Sequence, residues 1–274
     1  MKLKELWQLM SDILEDERRA DARLLLMFGL NMKYHQLIGE LEKEVDKEVE
    51  RNLIQKAKQV SKGTPLQYVL GSQEFYGLDF LVNESVLIPR PETEIIVEFI
   101  INKYKGKDVK ILDIGTGSGA IAVSLAKNLT KSCVDAIDIS NNALAVAKQN
   151  AKLNMVEERI NFIESNLFSN VGSYDYDCIV SNPPYISASE MKVLPLNVTK
   201  EPKLALYGGI DGLDFYKKII NKSADFLKVE GMLIFEIGYK QGKEVSMLMQ
   251  KKGFINVEIK KDFNNLDRIV LGYK

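Results

Sequence analysis

The stretch that decides the fold reads VKILDIGTGSG, residues 109–119, in which an apolar strand runs into a glycine-rich turn and then a helix. Strand and helix patterns alternate from there to residue 252. Two strand-like segments, 255–262 and 267–273, end the chain. This alternation predicts an α/β fold with a mostly parallel sheet and helices on both faces. The last two strands leave no room for a crossover helix, so we expect an antiparallel hairpin, unlike the nucleotide-binding sheet of dehydrogenases.

The chain before this sheet has a different pattern. Apolar residues recur at spacings of three and four and predict four helices, which indicates a small helical bundle over residues 1–70. Aromatic and β-branched residues interrupted by two glycines then predict a β-hairpin within 66–88. We therefore divide the chain into a helical domain at 1–70, a β-hairpin linker at 71–90, and a larger domain at 91–274.

Charge and composition exclude several function classes. The chain has 37 Lys and Arg against 38 Asp and Glu, a net charge of -1. A dedicated nucleic-acid binder usually shows a basic excess, so we expect no direct nucleic-acid binding. No segment approaches the ~20 apolar residues that span a membrane, and the N-terminus is too acidic for a secretory signal. We expect a cytoplasmic enzyme that does not bind membranes.

Cysteine and histidine usage argues against metal and nucleophilic chemistry. Cys133 and Cys178 both lie in apolar, strand-like segments, which predicts two buried free thiols in a reducing compartment. The single histidine, His35, lies in a helix-like stretch away from every motif and is expected to be partly exposed. No residues have metal-ligand spacing, so we predict no metal site.

The glycine-rich turn favours a nucleoside ligand. Glycines at 115, 117 and 119 let the backbone turn tightly and approach a ligand closely. The order GTGSG differs from GxGxxG and lacks the Lys-Ser/Thr ending of a phosphate loop. Asp138 ends the next strand, where a carboxylate can accept both ribose hydroxyl protons. Taken singly, the loop is also compatible with an ordinary turn, and Asp138 with an acid at a helix N-terminus.

A second motif, Ser181-Asn182-Pro183-Pro184-Tyr185, ends the strand that we expect beside the first one. The prolines fix the backbone and remove two N–H donors, so nearby carbonyls face the cleft as acceptors. Asn182 Oδ1 and the Pro183 carbonyl can hold both hydrogens of a planar amino nitrogen and aim its lone pair at an electrophilic methyl. Tyr185 adds a flat face for the planar group. The alternative is a rigid structural turn.

These two motifs together resemble the amino-methyltransferases that act on planar nitrogens. Further segments resemble the HemK/PrmC family, which methylates the glutamine of the GGQ motif in peptide chain release factors. The resemblance covers residues from about 60 to 274, whereas the helical region matches only in size and character. The segments that carry it are Gly63-Thr64-Pro65-Leu66-Gln67-Tyr68, Gly71, Phe75-Tyr76-Gly77, Val86 to Glu94, Glu201-Pro202, Ala205-Leu206 and Gly208-Gly209-Ile210-Asp211-Gly212.

The resemblance implies a Rossmann-like class I methyltransferase sheet of seven strands, with an antiparallel last hairpin and a small N-terminal helical bundle. It also implies S-adenosylmethionine as cofactor. Asp138 would bind its ribose, and Asn166 and Leu167 its adenine. Members commonly have an acid where Asn166 stands, so contact with the adenine amino group would be weaker or water-mediated here. The methionine part would be wrapped by Gly115, Thr116, Gly117, Ser118 and Gly119, with Asn182 also near the cofactor.

On the substrate side, the resemblance assigns Asn182, Pro183, Pro184 and Tyr185 to the target glutamine. Of these, Asn182, Pro183 and Tyr185 would be catalytic. Arg90 and Glu92 would lie near the cleft wall without individual roles. We interpret Glu201-Pro202 as a mobile segment that covers the substrate, the alternative being a surface loop.

The leading hypothesis is a monomeric protein-glutamine N5-methyltransferase whose N-terminal bundle grips a release factor. The bundle could instead be a stabilising cap. A DNA adenine-N6 methyltransferase would use the same NPPY motif but needs basic grooves, which the charge balance does not offer. A glutamine methyltransferase acting on a ribosomal protein is a close alternative. A module that senses the cofactor without chemistry would have no need of an intact SNPPY.

Overall fold

The computed structural model describes residues 1–172 and 175–274, which form two compact units. The first unit comprises Met1–Gly71 and Pro195–Lys200, and the second comprises Ser72–Leu194 and Glu201–Lys274. Within the described residues, every helix is too short or too polar to cross a bilayer.

The first unit is helical. Its helices are α1 (Leu3–Gly29), α2 (Tyr34–Gly39), α3 (Lys47–Ser61) and α4 (Leu66–Leu70). The sequence predicts two helices where the structure has α1. The backbone of α1 does leave helical dihedrals at Glu15 (φ 59, ψ 176), so α1 consists of two helical parts joined at a kink. The Asp46 carboxylate caps α3 by accepting from the amides of Glu48 and Val49. Leucines that include Leu6, Leu25, Leu37 and Leu53 fill the core of this unit.

The second unit contains nine strands and six helices among its described residues. They are β1 (Ser72–Phe75), β2 (Leu78–Leu81), α5 (Glu94–Tyr104), β3 (Val109–Ile114), α6 (Ala120–Asn128), β4 (Ser132–Asp138), α7 (Asn141–Leu153), β5 (Ile160–Glu164), β6 (Tyr176–Ser181), α8 (Lys203–Leu206), α9 (Asp214–Phe226), β7 (Leu227–Glu236), α10 (Gly242–Lys251), β8 (Ile255–Lys261) and β9 (Asp267–Tyr273). Short 3-10 turns cover Pro91–Thr93, Glu157–Arg159 and Glu190–Val193.

Seven of these strands form one sheet in the order β5-β4-β3-β6-β7-β9-β8. The first five are parallel, and β9 runs antiparallel between β7 and β8. The predicted α/β sheet with its antiparallel final hairpin is therefore confirmed. Register places Ile114 beside both Ile137 and Ser181, so the carboxyl ends of β3, β4 and β6 meet at one edge.

The central strands are apolar on both faces because helices cover both sides of the sheet. Successive side chains of a strand point to opposite faces. Accordingly Ile111 belongs to one buried cluster, with Val134 and Val180, while Leu112 belongs to the other, with Ile179. This burial on both faces anchors the strand ends that carry the site.

The hairpin of β1 and β2 is shorter than the predicted 66–88. Residues 66–70 are helical instead, because Pro65 precedes that turn and Gly71, with a φ of 79°, ends it in the left-handed conformation. Phe75 and Phe80 pack edge to face, with ring centroids 5.9 Å apart, inside the core of the second unit. By its buried contacts the hairpin is part of that unit.

The prediction of two buried thiols is half right. Cys178 is buried, but Cys133 is exposed. Cys133 is the second residue of β4, and strand alternation turns its side chain away from the face on which Ser132 and Val134 are buried. His35 is exposed.

Candidate active site

A cavity of ≈ 280 Å³ lies in the second unit at the carboxyl ends of β3, β4 and β6. This is where open α/β sheets bind ligands. The predicted site residues on its wall are Gly115, Gly117, Asp138, Asn166, Leu167, Asn182, Pro183 and Pro184. The fold thus brings the glycine-rich turn and the SNPPY segment to a single cavity.

The glycine-rich turn presents backbone rather than side chains to this cavity. The amides of Gly115 and Thr116 both donate to the Ile137 carbonyl at 2.9 Å, which ties the turn to β4. Gly117 has a φ of 56°, and the nearest contact of a Cβ built there would be the Gly115 carbonyl oxygen, at 4.0 Å. A glycine at this position therefore keeps a left-handed backbone free of strain and leaves the space beside it open for a ligand.

The other residues of the turn support it from behind. Thr116 and Ser118 are buried, and Thr116 Oγ1 donates to Asp113 Oδ2 at 2.7 Å. A Cβ at Gly119 would lie 3.1 Å from that of Ala147, so Gly119 allows close packing of α6 against α7. None of Thr116, Ser118 and Gly119 lies on the cavity wall. Burial raises the pKa of Asp113 to about 7, with the Thr116 hydrogen bond opposing the rise.

Asp138, the last residue of β4, bonds to the glycine-rich turn that follows β3, and it faces the cavity. Its Oδ2 accepts from the Gly117 amide and its Oδ1 from the Ser140 amide, each at 2.9 Å. Each carboxylate oxygen can accept a further hydrogen bond, which is what two ribose hydroxyls require. Burial raises the pKa of Asp138, and the backbone donors oppose that rise. Ile139, which is 55% exposed, follows it on the cavity wall.

The far end of the cavity is formed by Asn166 and Leu167. The backbone there is fixed, since the Ser165 amide donates to the Asp138 carbonyl at 2.9 Å and Leu167 adopts a φ of 51°. The Asn166 carboxamide offers one acceptor oxygen where a carboxylate would offer two. Open space at Gly117, two acceptor oxygens at Asp138 and apolar wall residues fit the amino-acid and nucleoside parts of S-adenosylmethionine.

The SNPPY segment forms the opposite wall. Ser181 Oγ donates to the Ile114 carbonyl at 2.7 Å, which joins the ends of β3 and β6. Asn182 Nδ2 donates to Thr93 Oγ1 at 3.3 Å. Asn182, Pro183 and Pro184 line the cavity, whereas the Tyr185 ring lies outside its wall, half-buried against the core. Burial raises the pKa of Tyr185, so its phenol is neutral.

Residues 206–212 support this segment closely. The Ile186 amide donates to the Leu206 carbonyl and the Gly208 amide to the Ile186 carbonyl, both at 2.9 Å. A Cβ at Gly208 would lie 2.6 Å from the Pro184 carbonyl oxygen, a distance that no side chain tolerates. Gln241 Nε2 donates to the carbonyls of both Tyr185 and Gly212, at 3.0 and 3.2 Å. The segment that follows the two prolines is thus fixed by hydrogen bonds to residues 206–212 and to Gln241.

The buried Glu201 and the half-buried Arg90 form an ion pair beside the cavity. Glu201 is only 4% exposed, and it accepts from the Arg90 guanidinium and from the Ile88 amide at 3.1 Å. Glu201 itself is therefore not a surface-loop residue, whereas the covering of the substrate by a mobile Glu201-Pro202 segment stays a prediction. The residues that follow Glu201, namely Pro202, Leu204 and Ala205, line the cavity, so the ion pair anchors one cavity wall to the segment before α5.

Sequence reasoning missed much of the apolar wall, formed by Val86, Leu87, Ile139, Leu204, Phe215 and Ile219. Of these, only Ile139 could have been predicted from its neighbours in sequence, because it directly follows Asp138 at the end of a strand. Thr93, which bonds to Asn182, and Glu236, which follows Phe235 beside the SNPPY segment, were missed as well. In sequence, Thr93 is one polar residue at a helix start and Glu236 one acid in an apolar strand.

Comparisons with known proteins agree along the whole chain. Residues 3–71 match the PrmC N-terminal domain, and residues 91–200 match the methyltransferase small domain. The release factor glutamine methyltransferase of Fusobacterium nucleatum is 43% identical over 91% of this chain and 70% of its own length. That of Aquifex aeolicus is 35% identical over 100% of this chain and 96% of its own length.

Solved structures support the fold. The hMettl16 catalytic domain in complex with MAT2A 3'UTR hairpin 6 superposes with a TM-score of 0.60 at 18% identity, over 81% of each chain. The ribosomal protein L11 methylase of Lactobacillus delbrueckii gives 0.51 at 22% identity, over 70% of this chain and 84% of that one. With relatives at 35% and 43% identity, matched over 96% and 70% of their own lengths, and matches to both domains, the chain belongs to the release factor glutamine methyltransferase family.

Proposed function

We propose that this chain transfers a methyl group from S-adenosylmethionine to the side-chain amide nitrogen (N5) of the glutamine in the GGQ motif of peptide chain release factors. The observation that carries the proposal is the position of Asn182 and Pro183. Both face the cavity that also contains the open glycine-rich turn and Asp138, on a chain of this family.

On the cofactor side, S-adenosylmethionine supplies a methyl group on a positively charged sulfur when it is bound. Asp138 holds the ribose with the lone pairs that its backbone donors leave free. Asn166 and Leu167 contact the adenine. The turn of Gly115, Thr116, Gly117, Ser118 and Gly119 surrounds the methionine part, with Gly115 and Gly117 at the surface of the cavity and Asn182 closing it.

On the substrate side, Asn182 Oδ1 and the Pro183 carbonyl accept the two hydrogens of the glutamine amide. This orients the nitrogen lone pair, which is otherwise delocalised into the carbonyl, toward the methyl carbon. The nitrogen–carbon bond forms as the carbon–sulfur bond breaks, and one amide proton leaves to solvent. Pro184 stiffens the segment. The Tyr185 ring lies outside the cavity wall, so we do not assign it the predicted flat face beside the amide plane. Orientation and fixed dipoles account for the rate in the absence of a strong base.

The N-terminal helical unit at 1–70 is proposed to grip the release factor, joined through 71–90 to the methyltransferase domain at 91–274. We propose a cytoplasmic monomer that does not bind nucleic acid directly. The near-zero net charge supports the last point, because counterion release from DNA or RNA needs clustered basic side chains.

The test is mass spectrometry of a release factor after incubation with the purified protein and S-adenosylmethionine. We expect one added mass of ~14 Da on the glutamine of the GGQ motif. A release factor with that glutamine replaced by alanine is the matched control and should gain nothing. Parallel incubations contain adenine-bearing duplex DNA and total ribosomal protein. A methyl group added only to the DNA or only to a ribosomal protein, and not to the release factor, would refute the proposal.

A further inference from the structure

The orientation of the Asn182 carboxamide is a separate problem from its position. Its oxygen and its NH₂ group have nearly the same size and shape, so packing alone does not choose between the two orientations. Only the orientation with Oδ1 toward the cavity offers the substrate amide an acceptor. The reversed orientation would place N–H groups opposite the N–H groups of the glutamine. Neighbouring hydrogen-bonding groups must therefore select the productive one.

Thr93 is the first of these neighbours. Its side chain is buried, and its Oγ1 accepts from Asn182 Nδ2 at 3.3 Å. A hydroxyl has a single hydrogen and can act toward Asn182 either as acceptor or as donor. If Thr93 gives its hydrogen to another acceptor, only its lone pairs remain for Asn182. The nitrogen arm then turns toward Thr93 and the oxygen arm toward the cavity.

Glu236 provides that acceptor. It is the last residue of β7 and only 2% exposed. Register pairs Ser181 with Phe235, so Glu236 comes next along β7, beside Asn182, and hydrogen bonding from the Thr93 side chain opposes the burial-raised pKa of its carboxyl. Among the described residues, Glu236 Oε2 has no hydrogen-bond partner. Burying a carboxylate without an ion-pair partner is costly, and a role in the site gives a reason for it.

The charges around Glu236 set when it carries a proton. Burial raises its pKa to about 7, and Thr93, Arg268 and Asn182 oppose the rise while Glu92 adds to it. Arg268 donates to Asp262 Oδ2 at 3.1 Å, so it is engaged elsewhere. Tyr185 and Tyr216 also lie near Glu236, and burial raises both of their pKa values, which keeps them neutral.

We propose that Glu236 acts through Thr93 as a positioning residue that keeps Asn182 Oδ1 facing the substrate amide. The inference rests on the proposed function. An ionised Glu236 can only accept, so Thr93 donates to it and accepts from Asn182. A protonated Glu236 can donate to Thr93 instead, which frees the Thr93 hydrogen for Asn182 Oδ1 and permits the reversed carboxamide.

The first test is the pH profile of kcat on a release factor. The wild-type kcat should fall about tenfold from pH 8 to pH 6 as Glu236 gains its proton. Glu236→Gln cannot titrate, so its kcat should stay constant over this range. Cofactor affinity, measured by calorimetry, should stay within about threefold of wild type, because Glu236 makes no cofactor contact. A Glu236→Gln variant that retains the wild-type acid limb would overturn the inference.

The second test replaces Thr93. Thr93→Val removes the hydroxyl and should lower kcat about tenfold with cofactor affinity kept, whereas Thr93→Ser should restore kcat to within about threefold. Ser223→Ala, which removes a buried hydroxyl that donates to the Ile220 carbonyl on α9, is the matched control and should leave kcat unchanged. Equal kcat values in Thr93→Val and wild type would overturn the inference. The proposed function would still hold in that case, provided that the wild type methylates the release factor. A wild type that leaves the release factor unmethylated would overturn both.

Discussion

The two walls of the cavity are built in different ways. The cofactor wall comes from three short segments at the ends of neighbouring strands, and its contacts are nearer in sequence, such as Gly117 with Asp138, 21 residues apart. The substrate wall depends on distant partners. Asn182 bonds to Thr93, 89 residues away, and Arg90 pairs with Glu201, 111 residues away. The partners of the cofactor wall therefore lie nearer in sequence than those of the substrate wall, which come from distant segments of the second unit.

The sharpest test of this contrast is Asn182→Ala. The change removes an acceptor that orients the substrate amide, so kcat should fall about 100- to 1000-fold, as when one preorganised hydrogen-bonding group is lost. Cofactor affinity should stay within about threefold, because Asp138 and the glycine-rich turn are untouched. The measurements are single-turnover methyl transfer to a release factor and calorimetric titration with cofactor.

Asn128→Ala is the matched control for that variant. Asn128 is an exposed asparagine at the end of α6 whose Nδ2 donates to the Ser124 carbonyl. Its replacement should change neither quantity. Unchanged turnover in Asn182→Ala would contradict the role given to this residue and the division into two walls.

A change in the cofactor wall should have the reverse effect, a loss of cofactor affinity with kcat retained. Asp138→Ala removes the acceptors proposed for the ribose, so the dissociation constant of the cofactor should rise about 10- to 100-fold. At saturating cofactor, kcat should stay within about fivefold of wild type, since Asn182 keeps its place. Calorimetry and kcat at two cofactor concentrations separate the two effects. A large loss of kcat with unchanged cofactor affinity would mean that the two walls are not independent.

The same contrast explains how far sequence reasoning reaches. Glycines at 115 and 117 and an acid at the end of the next strand are local signals with a direct physical meaning, so the cofactor wall could be located. The SNPPY segment could be located too, since strand order places β6 beside β3. The support behind it could not, because Thr93, Glu236 and Glu201 acquire their partners only through folding.

The fold shows a similar limit. Regular alternation of strand and helix, and the short connection before β9, were enough to predict the sheet and its antiparallel edge. The five-residue helix at Leu66–Leu70 was missed because its aromatic and β-branched residues resemble a strand. The structural role of Asn150 was also missed. Its buried carboxamide bonds to the backbone of Leu81 and of Ser118, which a polar position in a helix does not reveal.

A smaller effect is expected at the ion pair of Glu201 with Arg90, which anchors the part of the cavity wall that contains Pro202 and Leu204. Glu201→Ala leaves the Ile88 amide and the Arg90 guanidinium without their acceptor, so the segment with Pro202 and Leu204 should lose its fixed position. We expect kcat/KM for the release factor to fall about tenfold, with cofactor affinity nearly unchanged.

Glu258→Ala is the control for Glu201→Ala. It breaks an exposed pair with Lys260 on β8, and exposed pairs contribute little. Its kcat/KM should equal that of wild type. If Glu201→Ala also retained full kcat/KM, the anchor would be irrelevant to the substrate wall.

The smallest expected effect is on the pH dependence of the free energy of unfolding, and it involves one buried acid behind each wall. Asp113 lies behind the cofactor wall and Glu236 behind the substrate wall, and burial raises the pKa of each to about 7. In the unfolded chain these groups ionise near their ordinary values of 3.8 and 4.5. Between those values and 7 the folded state binds more protons than the unfolded state. The free energy of unfolding must therefore decrease as pH rises through this window.

From pH 6 to pH 8 each group should contribute a loss of about 1 kcal/mol. Asp113→Asn keeps an acceptor for the Thr116 hydroxyl but cannot ionise, so it should remove one half of this loss, and Glu236→Gln the other half. Urea unfolding at both pH values measures the difference for wild type and each variant, and groups that titrate elsewhere cancel in the comparison. A wild-type loss that neither variant reduces would mean that both carboxyls ionise normally in the folded state, and that neither wall contains a strained buried acid.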